Sequence, residues 1–145
     1  MKITICSSID FTYEVKDVAD KLQAAGHEVE IPLTSQRILN GEMTLDEFKA
    51  EKKANGDGFV RKVKVDVIKR YYEIIKNSDA ILVVNLEKNG RRNYIGGNTF
   101  LEIGFAHVLD KKIFSMNPMP EDSPYLDELK AMQPLVLDGD LSKIG

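Results

Sequence analysis

Glu102 lies inside the otherwise apolar run Phe100-Leu101-Glu102-Ile103-Gly104-Phe105-Ala106, shortly after the glycine pair Gly96-Gly97. Leu101, Phe105 and Val108 recur at helical spacing, which predicts a helix that starts near Asn98 and holds Glu102 in or just beyond its first turn. Asn98 or Thr99 is the expected cap, leaving backbone N–H groups free for an anion or hydroxyl, while the two glycines let a ligand approach the main chain. The carboxylate then has two readings. Either it sits on an exposed stripe and complements the helix dipole, or the same dipole keeps it ionised in a cleft as a nucleophile. Other reactive side chains point less directly to chemistry. Cys6, the single cysteine, lies in an apolar run beside Ile3 and Ile5 and reads as core packing. His27 and His107 read as structural, with no Cys or His cluster to suggest a metal. Arg91-Arg92 reads as a solvated pair, in a loop placed to meet a phosphate.

The elements that must position Glu102 follow from hydrophobic periodicity. Lys2 to Ser7 is a β-branched run that breaks at Ser7-Ser8-Ile9-Asp10, after which Val15, Val18, Ala19, Leu22 and Ala25 trace a helix that Asp10 or Thr12 can cap and Gly26 can end. A second strand spans His27 to Ile31, stopped by Pro32. Val60, Val63, Val67, Tyr71 and Ile74 mark a long helix ending around Asn77-Ser78, and the unbroken apolar run Ala80 to Val84 predicts a central parallel strand covered on both faces. After the Glu102 helix come a strand at Lys112 to Met116, a short helix at Ser123 to Met132 and a strand at Leu135 to Leu137. This alternation predicts an α/β fold: a flavodoxin-like, Rossmann-like three-layer sandwich on a five-stranded parallel sheet of order 2-1-3-4-5, in one domain spanning 1–145.

Ligands of open parallel sheets bind beyond the carboxyl ends of the strands where the chain switches direction, here between strands one and three. Two loops meet there: Ser7-Ser8-Ile9-Asp10, and a long polar one from Asn85 to Asn98 that contains Tyr94. A charged stretch at about 34–58, with a capping box at Thr44 and Glu47, is expected to form a short helix between loops. It is either a solvated insertion or a lid over the ligand.

The 145 residues, 43% hydrophobic and 30% charged, suffice for one ordinary core. A net charge of −3 argues against nucleic-acid binding, which depends on a basic surface. With no apolar run of membrane-spanning length and no leader-like segment, a cytoplasmic protein with no membrane partner is expected.

The segment Asn93-Tyr94-Ile95-Gly96-Gly97-Asn98-Thr99-Phe100-Leu101-Glu102-Ile103-Gly104-Phe105-Ala106, followed by Lys111-Lys112-Ile113-Phe114, resembles the signature of nucleoside 2-deoxyribosyltransferases and the related deoxynucleotide N-hydrolases. That family has a glycine-containing loop, then Glu-Leu-Gly-Tyr-Ala or similar, then Gly-Lys before the next strand. Ser78-Asp79-Ala80 and Asn117-Pro118 extend the likeness more weakly along the chain. The resemblance implies cleavage or transfer at the N-glycosidic bond of a nucleoside or nucleotide, with Glu102 as the catalytic nucleophile and no cofactor. Asp66, Tyr71 and Tyr94 become the candidate proton donors. Ser7, Ser8, Asp10, Asn85, Tyr94, Gly96, Gly97 and Asn98 become candidate substrate-binding residues. Asp127 matches the residue that the family supplies from a neighbouring subunit, which implies a homo-oligomer with sites near subunit contacts. Two positions depart from the pattern: Tyr71 stands where the family carries a second carboxylate, and Gly96 where it has an acidic residue or serine. Two rivals stand beside this reading. Ile95 to Glu102 echoes the Pro-Gly-Gly-x-Gly-Thr-x-x-Glu of cytokinin-activating phosphoribohydrolases, without its proline and third glycine. The altered second carboxylate also fits a nucleotide-binding sensor that lost catalysis.

Overall fold

Strands β1 (Lys2–Ser7) and β3 (Ala80–Val84) are the two runs with least polar alternation, and both lie at the centre of the sheet. All five residues of β3 are buried, as expected of a strand covered on both faces. Around them β2 (Glu28–Glu30), β4 (Lys112–Ser115) and β5 (Leu135–Val136) complete a five-stranded sheet of order β2-β1-β3-β4-β5 in which every pairing is parallel. The register matches Ile3 with Ala80 and Ser7 with Val84, so β1 and β3 end side by side. The computed structural model describes residues 1–59 and 65–145, apart from the side chain of Phe59.

Successive strand residues face opposite sides, and each side has its own helices. Ile3, Ile5, Leu82 and Val84 pack with Val15, Val18, Ala19 and Leu22 of α1 (Thr12–Ala24). Cys6, Ile81 and Val83 pack instead with Tyr71 and Ile75 of α4 (Val65–Lys76) and with Ile103 and Ala106 of α5 (Gly97–Val108). Leu129 of α6 (Leu126–Ala131) joins that second cluster. The result is a three-layer α/β sandwich with the flavodoxin-like order. α1 ends where Gly26 takes φ +95°, a left-handed conformation suited to glycine.

Three local expectations are corrected. The charged stretch forms two helices, α2 (Leu33–Leu39) and α3 (Leu45–Phe59), because Pro32 at the first helix's N-cap lets it start directly after β2. The Thr44 hydroxyl caps α3 by accepting from Glu47 N–H at 3.0 Å, and Gly56, at φ +46° and ψ −120°, kinks it. Neither Asp10 nor Thr12 caps α1. A 3₁₀ turn at Ile9–Phe11 precedes it, with the Ser8 hydroxyl accepting from Asp10 N–H. Finally, α5 begins one residue early, with Gly96 at the N-cap, so neither Asn98 nor Thr99 caps it. Of the long helix expected before β3, Val67, Tyr71 and Ile74 lie in α4, while Val60 and Val63 fall outside the described residues.

Candidate active site

Because β1 and β3 end together, the loops that leave them diverge around a cavity of about 210 Å³. Ser7, Ser8 and Ile9 form one wall. Tyr94, Gly96, Gly97, Asn98, Thr99 and Glu102 form a second, and Val67 and Tyr71 of α4 complete the inner side. Residues 32–35 and Phe48 and Lys52 of α3 close the cavity from the insertion between β2 and α4.

The loop after β3 is anchored at its base and its end. Asn85 is fully buried: its amide donates to the carbonyls of Asn117 at 3.0 Å and Pro118 at 3.1 Å, and its side-chain carbonyl accepts from Asn117 N–H at 3.0 Å. At the other end, Phe100 N–H donates to the Gly96 carbonyl at 2.9 Å and closes the first turn of α5. A Cβ on Gly96 would sit 3.2 Å from the Tyr94 hydroxyl, so glycine lets that tyrosine fold back against the helix start. With no side chain capping α5, the N–H groups of Gly97, Asn98 and Thr99 have no helical acceptor where they border the cavity.

Glu102 lies on the inner side of α5, surrounded by protein but open to the cavity on one face. Burial pushes its carboxyl up from the ordinary 4.5 to about 8, against the lowering effect of a hydrogen bond from the Cys6 thiol. Burial, then the charge and hydrogen bonding of Glu102, push the Cys6 thiol up in turn. Beside them, Tyr71 is 1% exposed and donates its hydroxyl to the Ile5 carbonyl. Burial and then the charges of Cys6, Glu102 and Glu30 raise the tyrosine's pKa. These groups make up a carboxyl site on β1, α4 and α5 in which, among the described residues, no ammonium or guanidinium forms an ion pair with Glu102.

The structure thus brings Glu102, Tyr71, Ser7, Ser8, Tyr94, Gly96, Gly97 and Asn98 to one cavity. It does not bring Asp66, Asp10, Asn85 or Asp127 there. Asp66 faces solvent and lies 3.8 Å from Arg70, one turn along α4. Asp10 turns toward two lysines, pairing with Lys49 of α3 and with Lys88 at 2.6 Å, while the Lys88 ammonium also sits 4.6 Å from the centre of the Tyr94 ring. Burial raises the Asp10 carboxyl but is outweighed by hydrogen bonds and charge from Lys49 and Lys88, which hold it below the ordinary carboxylate value. Asn85 spends its side chain on the clasp to Asn117. Asp127 is exposed in the first turn of α6. Arg91 and Arg92 are exposed and outside the cavity, and His107 is exposed beyond it.

Lys52, Phe48, Lys88 and Cys6 were not expected at the site. Phe48 and Lys52 are four residues apart and so share a face of α3, and the half-buried apolar pair Leu45 and Phe48, three residues apart, is the sequence sign that this charged helix has an inner side.

No protein-family model matches the chain, and no curated protein does. Among solved structures, the CMP N-glycosidase BcmB of Clostridium botulinum is similar, with a TM-score of 0.50 and 17% sequence identity over 93% of this chain and 85% of that one. That likeness is one of fold. No helix among the described residues is long and apolar enough to cross a membrane, and they contain no cluster of His, Cys, Asp or Glu able to hold a metal ion.

Proposed function

We propose that the protein cleaves, or transfers at, the N-glycosidic bond of a nucleoside or nucleotide, with Glu102 as nucleophile. The observation that carries this reading is the one carboxyl, among the described residues, that lines the cavity at the switch point of the sheet, where burial raises it to about 8. A helix residue that merely complemented the dipole would face water. The fold shared with a protein described as a CMP N-glycosidase supports the same bond as target.

In the first step a Glu102 oxygen attacks C1′ as the C1′–N bond breaks, and the electron pair leaves with the base. The base takes a proton from Tyr94, the tyrosine in the cavity whose hydroxyl has no hydrogen-bond partner among the described residues. Tyr71 is less suited, since its proton is committed to the Ile5 carbonyl, and Asp66 lies outside the cavity. In the second step water adds at C1′, the ester bond to Glu102 breaks, and the proton returns to Tyr94. A second base in place of water gives transfer. Ser8 and the N–H groups opening α5 are assigned to the sugar hydroxyls, with Ser7, which donates its own proton to the Val84 carbonyl at 2.8 Å, acting there as an acceptor.

The test is chromatography of bases released from a panel of ribo- and deoxynucleosides and their monophosphates, run on the wild type and on Glu102→Gln. Release is expected to fall by about 10³-fold or more in the variant, as for loss of a covalent nucleophile. A fully active variant refutes the assignment, and binding without release from any substrate makes the protein a sensor.

A further inference from the structure

We propose that Cys6 is the positioning residue for Glu102: from behind the cavity its thiol donates to one carboxyl oxygen and leaves the other facing the ligand. The inference rests on the reading of Glu102 as nucleophile and specifies what holds that nucleophile in place.

Cys6 is the second-last residue of β1, fully buried and paired with Val83 of β3 in the middle of the sheet. Its side chain lies on the face covered by α4 and α5, where it packs with Tyr71, Ile103 and Ala106. Ile103 adjoins Glu102 on α5, and the thiol and the Glu102 carboxyl are hydrogen-bonded. Glu102 and Tyr71 border the cavity and Cys6 does not, so the thiol meets the carboxyl from the sheet side. The neighbouring hydroxyl is already engaged, since Tyr71 donates to the Ile5 carbonyl. With no ion-pair partner for Glu102 among the described residues, the thiol is left as the group that fixes the carboxyl's rotation. The other titratable groups bordering the cavity among those residues are Lys52 of α3 and Lys88 and Tyr94 of the loop after β3, while Glu30 of β2 acts on Tyr71.

A thiol suits this task. It is a weak donor, so it orients a carboxylate without neutralising it as two ammoniums do Asp10. It is also a poor proton source: burial, then the charge and hydrogen bonding of Glu102, push it well above its ordinary 9.0, and it stays protonated while Glu102 ionises. When Glu102 holds its own proton, the thiol has the Thr4 carbonyl, at 4.0 Å, as another acceptor. Ionising the carboxyl therefore strengthens the hydrogen bond that the thiol makes, and the chain's single cysteine gives that change one spectroscopic band.

The first test is the infrared S–H stretching band of the ligand-free wild type and of Glu102→Gln, followed as pH passes through about 8. The wild-type band should move to lower frequency as the carboxylate forms, and the band of Glu102→Gln should not respond. A stationary wild-type band, or an equal movement in both proteins, overturns the proposal. The second test separates donor from volume: Cys6→Ser keeps a donor, Cys6→Ala and Cys6→Val remove it, and valine refills the space on a strand that favours β-branched residues. Both variants without a donor should lose about tenfold or more in kcat with KM little changed, as for a misaligned nucleophile. Their kcat/KM midpoint should rise from about 8 by about half a pH unit or more, because a buried carboxylate that loses a donor holds its proton more tightly. Cys6→Ser should restore most of both. If Cys6 only fills space, the order reverses, with Cys6→Val near the wild type and Cys6→Ser the most impaired, and that result also overturns the proposal. A band that responds to pH, with no base released from any substrate, leaves the thiol's hold on Glu102 standing and removes glycosidic cleavage. Release that needs Glu102 but is indifferent to the Cys6 donor does the reverse.

Discussion

Asp10 and Glu102 both lie beyond the carboxyl ends of the two central strands, yet their surroundings are opposite. Asp10, on the loop after β1, is 16% exposed and held by two ammoniums, so its charge is stabilised below the ordinary range. Glu102, on the helix after β3, has the Cys6 thiol and the Tyr71 hydroxyl near it and no ion-pair partner among the described residues, and burial pushes it to about 8. The contrast separates two uses of a carboxyl. A charge already neutralised by lysines is poorly placed to respond to a substrate and serves to join three chain segments. An uncompensated one gains most when a cationic centre develops next to it, as in an oxocarbenium-like transition state.

Exchanging the carboxyls for amides measures that division, and the largest difference should be in turnover. Glu102→Gln should lose about 10³-fold or more in base release, whereas Asp10→Asn should lose less than about tenfold, since it loosens α3 without touching the reacting atoms. Comparable losses would dissolve the distinction. A second measure is the pH dependence of stability. Above the ordinary value of 4.5 an unfolded Glu102 has released its proton while the folded one keeps it up to about 8. Unfolding free energy should therefore fall by about 1.4 kcal/mol per pH unit across that window and then level off. In Glu102→Gln this slope should vanish, leaving the variant more stable than the wild type at pH 8. Denaturant titrations at several pH values check it, and parallel curves would mean that Glu102 ionises freely. If Glu102 is the nucleophile proposed above, kcat/KM should rise with pH with its midpoint near 8, as that carboxyl becomes ionised in the free protein. The smallest effect belongs to Asp10. Its lowered pKa gives stability that is present above the ordinary value of 3.8 and lost as pH falls through the folded value. Lys49 is about half exposed, so Asp10→Asn should cost no more than about 1 kcal/mol at neutral pH. Its clearer signature should be faster proteolysis within α3.

The fold was legible because apolar periodicity dictates it: β3 has no polar alternation, and α1 shows one continuous stripe. Glu102 was legible because a carboxylate among core residues has few places to go. What could not be read was direction. Asp66 precedes Tyr71 by five residues, which on a helix rotates it by about 140°, away from the cavity; Val67, four residues before Tyr71, faces in with it. Asp10 was expected to face the substrate, but its partners Lys49 and Lys88 are distant in sequence, and no local pattern announces such a pairing. Asn85 had the residue type of a ligand contact, and only the structure of the loop after β4 reveals that Asn117 claims it. Lys52 was hidden in a helix whose charges conceal its inner face.

The clasp between Asn85 and Asn117 has one further consequence. It ties the exit of β3 to the exit of β4, while Gly96 sets where α5 resumes, so both ends of the loop at 86–95 are anchored independently of its middle. Changing the length of a loop between fixed ends costs little, since closure entropy grows only with the logarithm of its length. The tip of this loop at 89–92, which does not line the cavity, can therefore vary in length without unsettling the sheet or moving Glu102, provided that Lys88 keeps its pairing with Asp10 and Tyr94 its place in the wall.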